Sequence, residues 1–420
     1  MDEEGKRGAA AATMIVAAMY FVLGFVTWLN GPLIAFVKLA FTLDDVSAFL
    51  VPMVFYMSYF FLALPSAWLL RRTGMKRGMA IGLFAMAVGA AIFGQSATMR
   101  VFSGALSGLF VIGAGLAVLQ TAVNPYVTAI GPIESAARRI AIMGICNKVA
   151  GILAPVAIGA LVLSGVGSLA AQVGATADPA AREALLDQFA ARIHAPYLAM
   201  AGLLALLALF ILKSPLPDIR TARRGAPAAD AAPGRGLTAY PHLMLGVLCL
   251  FLYVGVEVLA GDAIGAYGRG FGLPIEATAL YTSYTLAAML IGYLAGVALI
   301  PRFVSQERYL GLSAALGILL SFGAWATTGV VSVGFVAALG FANAMMWPAI
   351  FPLAIRGLGR HTEAGSALLV MAICGGAVLP QLFAVLKETI PFQLVFLALT
   401  APSYAYILFY ATIGSRPAER

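Results

Sequence analysis

Lys148 lies in "GICNKVAG", inside an apolar run from Ile140 to Leu163 that is long enough to cross a bilayer. A charged side chain at a bilayer centre costs roughly 2.5–3.5 kcal/mol on insertion scales, so intramembrane charges mark function by default. Two carboxylates, Glu257 and Asp262, sit in a comparable setting in "LYVGVEVLAGDAIGAYGRG". A helical rise of about 1.5 Å per residue gives depths from the charged end of each run. Asn147 lies about 12 Å in, Lys148 about 14 Å, Gln120 about 15 Å and Asn343 about 20 Å, with Glu257 and Asn30 at about 22–27 Å. These depths gather around the middle of a ~30 Å hydrocarbon core. Asp262 comes out nearer the far side, at about 30 Å, and its spacing from Glu257 turns it to a different helix face.

Amides at this depth bond hydroxyl groups, and aromatic rings cover the weakly apolar face of a sugar ring. Asn30, Gln120, Asn124, Asn147 and Asn343 supply the first property, and Trp28, Tyr253 and Trp347 the second. Trp347 stands four residues after Asn343 and shares its helix face. Lys148 and Glu257 add charge for the hydroxyls. Lys148, Glu257 and Asp262 together sum to −1 when ionised, so one bound H+ or Na+ neutralises the group. Glu257 is the first candidate for coupling, because Lys148 lies within several ångströms of its depth and has a long side chain, and Asp262 is the next. The bland alternatives are interhelical hydrogen bonds for the amides, a structural ion pair for Lys148 and Glu257, and a solvated position at the mouth for Asp262.

The elements that must hold these residues are membrane helices. The 420 residues are 62 % apolar and only 10 % charged, which no soluble globular chain matches. Twelve apolar spans are expected, near 12–39, 46–70, 78–98, 101–130, 139–164, 195–213, 242–268, 277–300, 308–328, 331–356, 363–386 and 391–414. Residues 167–194 read as a loop on the far side, with a short surface helix in "DPAAREALLDQFAARI". Nineteen of the 26 Lys and Arg residues fall on one side of this layout with both termini, so both ends are expected in the cytoplasm. The net charge of +8 therefore reflects topology and calls for no nucleic acid partner.

"SPLPDIRTARRGAPAADAAPGRGLTAY", residues 214–240, reads as a cytoplasmic linker between a six-span half at 1–213 and another at 241–420. "IMGICNKVAG" (142–151) and "VMAICGGAVL" (370–379) match and would each open the fifth span of a half. Such repeats mark secondary transporters, with the site between the halves. Catalytic motifs such as HExxH, a strand-borne GxSxG and a phosphate-binding P-loop are missing, so the chain reads as no enzyme. Cys146, Cys249 and Cys374 read as buried thiols, and His194, His242 and His361 lack metal-ligand spacing.

The layout, with "WLLRRTGMKRG" between spans 2 and 3, resembles the major facilitator superfamily. "WLNGPLIAFVKLAFTL", "GAGLAVLQTAVNPYVTAIGPIES", "FLYVG" and "WPAIFPLAIRGLGRHTEAGSALLVMAICGGAVLP" resemble its fucose–galactose–glucose cation symporters across both halves. The resemblance implies an all-α major facilitator fold and a monosaccharide symporter of a bacterial inner membrane, working by alternating access as a monomer among lipids. It departs where fucose-transporting members carry acids, here Gly31 and Gln120, and where the loop acid of the superfamily is replaced by Arg71. Glucose or galactose is the expected cargo. The alternatives are N-acetylglucosamine or another monosaccharide, a drug/proton antiporter on the same fold, and a transport-incompetent sugar sensor. A cofactor other than the coupling cation is not expected.

Overall fold

The computed structural model describes residues 3–129, 136–214, 216, 237–300, 302–358 and 361–416, without the side chains at 3–12, 124–125, 128–129, 136–141, 238 and 363. Most of the expected linker lies outside the described residues, as does the Asn124 side chain.

Among the described residues, eleven helical stretches are long and apolar enough to cross a membrane, and one bent pair brings the number to twelve. Numbered in order, span 1 is Thr13–Ala40, span 2 Asp45–Thr73, span 3 Met75–Thr98, span 4 Phe102–Val123, span 5 Ile142–Leu161 and span 6 the end of Pro179–Lys213. Span 7 is Pro241–Gly261, span 8 Ile275–Leu299 and span 9 Gln306–Ala326. Span 10 is the pair Gly329–Asn343 and Met346–Ala354, span 11 is Ala364–Leu386 and span 12 is Phe392–Gly414. Large side chains such as Phe61, Leu203 and Leu206 stay more than half exposed, as a lipid-facing belt requires.

Packing repeats between the halves. Span 1 packs on span 5 and span 7 on span 11; span 3 packs on span 6 and span 9 on span 12. Span 5 meets span 8 and span 2 meets span 11, so the contact between the halves obeys the same pseudo-twofold relation. Helices approach closely where side chains vanish: a Cβ on Gly82 would lie 2.7 Å from the Gly115 carbonyl oxygen, and one on Gly108 would lie 2.8 Å from that of Gly89.

Several expectations need adjustment. The region 167–194 holds two helices, Val166–Ala175 and Pro179–Ala191. The second begins as its sequence dictates, with Asp178 accepting from the Ala180 and Ala181 backbone N–H groups and Pro179 in the first turn. Span 1 breaks between the helices Glu3–Thr27 and Asn30–Ala40. Pro32 cannot donate to the Trp28 carbonyl one turn back and crowds it. Pro348 stands in the same relation to Ala344, where span 10 bends by 40°. Span 7 ends at Gly261, and a short helix, Ile264–Arg269, follows after Asp262 and Ala263.

At the face distal to the termini the halves are tied together. The Asp45 carboxylate accepts from Lys387 of the other half as well as from Lys38 of its own. The Gln381 amide donates to the Val46 carbonyl at 3.1 Å, and Glu276 accepts from the Gly167 backbone N–H. Burial beside Phe49 and Phe383 pulls the Lys387 ammonium below its usual range, against the pull of Asp45.

Candidate functional site

The broken helices carry the site. Trp28 sits at the break of span 1 and is wedged between two glycines. A Cβ on Gly151 of span 5 would lie 2.5 Å from its ring, and one on Gly261 at the end of span 7 would lie 2.3 Å away. Trp28, Leu286, Met289, Tyr293 and Ala344 form a buried cluster of their own, separate from the main core.

Lys148 stands against this cluster. Its Nζ lies 4.9 Å from the Trp28 ring centre and 5.9 Å from that of Tyr293. It donates to Glu257 Oε1 at 3.2 Å, which joins span 5 to span 7 and hence the two halves. The side chains of Lys148 and Glu257 are only 8 % and 12 % exposed. Tyr253, one turn before Glu257, places its buried hydroxyl beside the carboxylate. An ion pair, an indole face and two phenols thus meet where the two halves touch, a polar spot with an aromatic wall.

The other expected residues divide. Asn30 is buried and donates to the Thr27 carbonyl across the break of span 1 at 3.1 Å. Asn147 donates to the Tyr20 carbonyl at 3.3 Å, which ties span 5 to span 1 within one half. Asn343 accepts from the Tyr404 hydroxyl at 2.9 Å, while its Nδ2 is buried with no hydrogen-bond partner among the described residues. Gln120 is half-buried on span 4. Trp347 stacks on Phe351 at 5.9 Å and packs against the main core, apart from the Trp28 cluster. Asp262 is 1 % exposed, which removes the solvated-mouth alternative. Its Oδ2 lies 3.4 Å from the Tyr56 hydroxyl, the Gly31 backbone N–H faces the carboxylate, and among the described residues its Oδ1 has no hydrogen bond of normal geometry.

Tyr56, Tyr293 and Tyr404 are the residues that sequence reasoning missed. A tyrosine in an apolar span gives no periodic signal that separates a site wall from ordinary packing. No group of three or more His, Cys, Asp and Glu side chains with metal-binding geometry occurs among the described residues.

The sequence profile of the Major Facilitator Superfamily matches residues 16–380. A glucose/galactose transporter of Brucella abortus is 34 % identical over 418 residues, covering 99 % of this chain and 97 % of its own. The L-fucose-proton symporter of Escherichia coli is 29 % identical over 374 residues, covering 87 % of this chain and 84 % of its own. Among solved structures, that of the transporter FucP in an outward conformation superposes with a TM-score of 0.76 at 27 % identity, covering 97 % of this chain and all of that one.

Proposed function

Given that this chain belongs to the major facilitator superfamily, in its fucose–galactose–glucose symporter branch, we propose that it imports a hexose of the glucose/galactose type together with a proton. The observation that carries the reading is the Lys148–Glu257 pair, which bridges the halves inside an aromatic enclosure. Hexose hydroxyls exchange hydrogen bonds with the ammonium, the carboxylate and the Asn343 amide, and the ring stacks on Trp28. Asn30, Gln120, Asn124 and Asn147 hold the surrounding helices or complete the hydrogen bonding.

Transport follows from sites at broken helices between two rigid halves. In the state described, the ties of Asp45, Gln381 and Glu276 close the distal face. Rocking of one half against the other breaks these ties and exposes the same site to that side. Lys148, Glu257 and Asp262 carry one net negative charge when ionised, and one proton makes the closed site neutral. Burying a neutral site is far cheaper than burying a net charge. The relatives named as a glucose/galactose transporter and an L-fucose-proton symporter support this choice of cargo and cation. The charge asymmetry of the loops supports a cytoplasmic-membrane orientation with both termini inside. The chain works as a monomer, with lipid around its apolar belt.

Counterflow in proteoliposomes tests the cargo. Vesicles are preloaded in turn with unlabelled glucose, galactose, fucose and N-acetylglucosamine, and entry of the labelled sugar is followed. Glucose or galactose is expected to drive entry best. Counterflow driven only by N-acetylglucosamine or fucose replaces the proposed cargo, and counterflow with none of them removes hexose transport altogether.

A further inference from the structure

Three charged side chains gather at the breaks of the helices, and only two of them pair. Lys148 is committed to Glu257 at 3.2 Å. Asp262 is only 1 % exposed, yet it joins no ion pair among the described residues.

The groups facing it come from four spans. From span 1 come Asn30 and Gly31, and from span 2 comes Tyr56, whose hydroxyl makes a long contact with Oδ2 at 3.4 Å. From span 8 come Thr282 and Thr285, whose hydroxyls are already donated to the Gly261 and Ala260 carbonyls at 2.7 and 3.0 Å. From its own span comes Glu257, a second acid. Among the described residues Oδ1 receives no hydrogen bond of normal geometry, with only the Gly31 backbone N–H turned toward the carboxylate. An ionised carboxylate held this way bears a desolvation cost that the Gly31 backbone N–H and the long Tyr56 contact offset only in part, and buried acids in that position take up a proton instead.

The fit with span 1 shows how the group is enclosed. A Cβ at position 31 would lie 3.3 Å from Asp262 Oδ1 and 2.5 Å from Thr282 Oγ1. Gly31 therefore leaves the space that the carboxyl group of the opposite half fills. Two helix breaks interlock here, and separating the halves withdraws Asp262 from Gly31 and Tyr56 together.

We propose that Asp262 carries the transported proton in the closed state, while Glu257 remains the ionised partner of Lys148 at the sugar site. This assignment rests on the symport reading above. When the halves part at the distal face, water reaches the carboxylate and hydronium protonates one oxygen, leaving water behind. Closure against Gly31 seals the neutral acid. The proton leaves to water when the opposite face opens and the sugar departs, so no electrons move and charge balances. Tyr56 is a positioning residue for the carboxyl group.

Full-length protein in proteoliposomes loaded with a pH-sensitive dye provides the test, with glucose and galactose as probes. Wild-type protein is expected to acidify the lumen as sugar enters. Asp262→Asn, which mimics the protonated acid, is expected to lose sugar-driven proton entry and all accumulation, while counterflow persists and no longer depends on pH. Proton entry that still accompanies sugar in this variant overturns the assignment and leaves the symport reading standing. Wild-type sugar entry without protons overturns both. Should Asp262→Asn fail to fold, Tyr56→Phe decides: a shifted pH profile of uptake with counterflow retained supports the assignment, and a profile that superposes on the wild type overturns it.

Discussion

Replacing Glu257 by Gln strips the counter-charge from a lysine that is almost fully enclosed. At 3.2 Å and an effective dielectric of about 20, the pair attracts by about 5 kcal/mol before desolvation is counted. Desolvation of both ions offsets much of that, so the intact pair adds little net stability. The single variants are different, because each leaves one charge buried and alone, at a cost of about 3–5 kcal/mol. The ring faces of Trp28 and Tyr293 retain about 0.5–2 kcal/mol for the lysine. Glu257→Gln is therefore expected at the lower end of that range and Lys148→Met higher. The double variant removes both charges and should lose no more than Glu257→Gln alone, which puts the coupling between the sites at about 5 kcal/mol. Unfolding in mixed micelles titrated with dodecyl sulfate, followed by circular dichroism, measures all four proteins. Single-variant losses that simply add in the double variant, to within about 0.5 kcal/mol, would refute the pairing.

Breaking the distal tie should favour the state open to that side. Asp45→Asn removes the carboxylate shared by Lys38 and Lys387, and a single cysteine placed at Ala35 is expected to react faster with an impermeant thiol reagent than in the parent. Equal rates would mean that the tie does not hold the closed state. A cysteine at Ala228, within the expected linker, should be labelled from the cytoplasmic side only; labelling from outside intact cells would reverse the topology.

Much of the fold was legible because a bilayer demands long apolar runs, and these are visible without any tertiary information. The pairing of Lys148 with Glu257 was legible for a related reason, since two opposite charges inside apolar spans, within reach of a long lysine side chain, have few other partners. The solvated-mouth alternative for Asp262 failed because span 7 stops at Gly261 and spans 1, 2 and 8 cover the break. The assumption of a straight helix put Trp347 on the face of Asn343. The break before Pro348 intervenes, and Trp347 stacks on Phe351 instead. Lys148 and Trp28 are distant in sequence and meet only because Gly151 and Gly261 make room for the indole. A glycine in an apolar run does not announce which side chain fills its space.

Accumulation of labelled glucose or galactose by proteoliposomes under an imposed pH gradient tests the central claim most directly. With the acid side outside and no Na+ present, the internal sugar concentration is expected to rise above the external one and to fall back when a protonophore collapses the gradient. Accumulation that needs a Na+ gradient, or that is unchanged by the protonophore, would contradict proton symport.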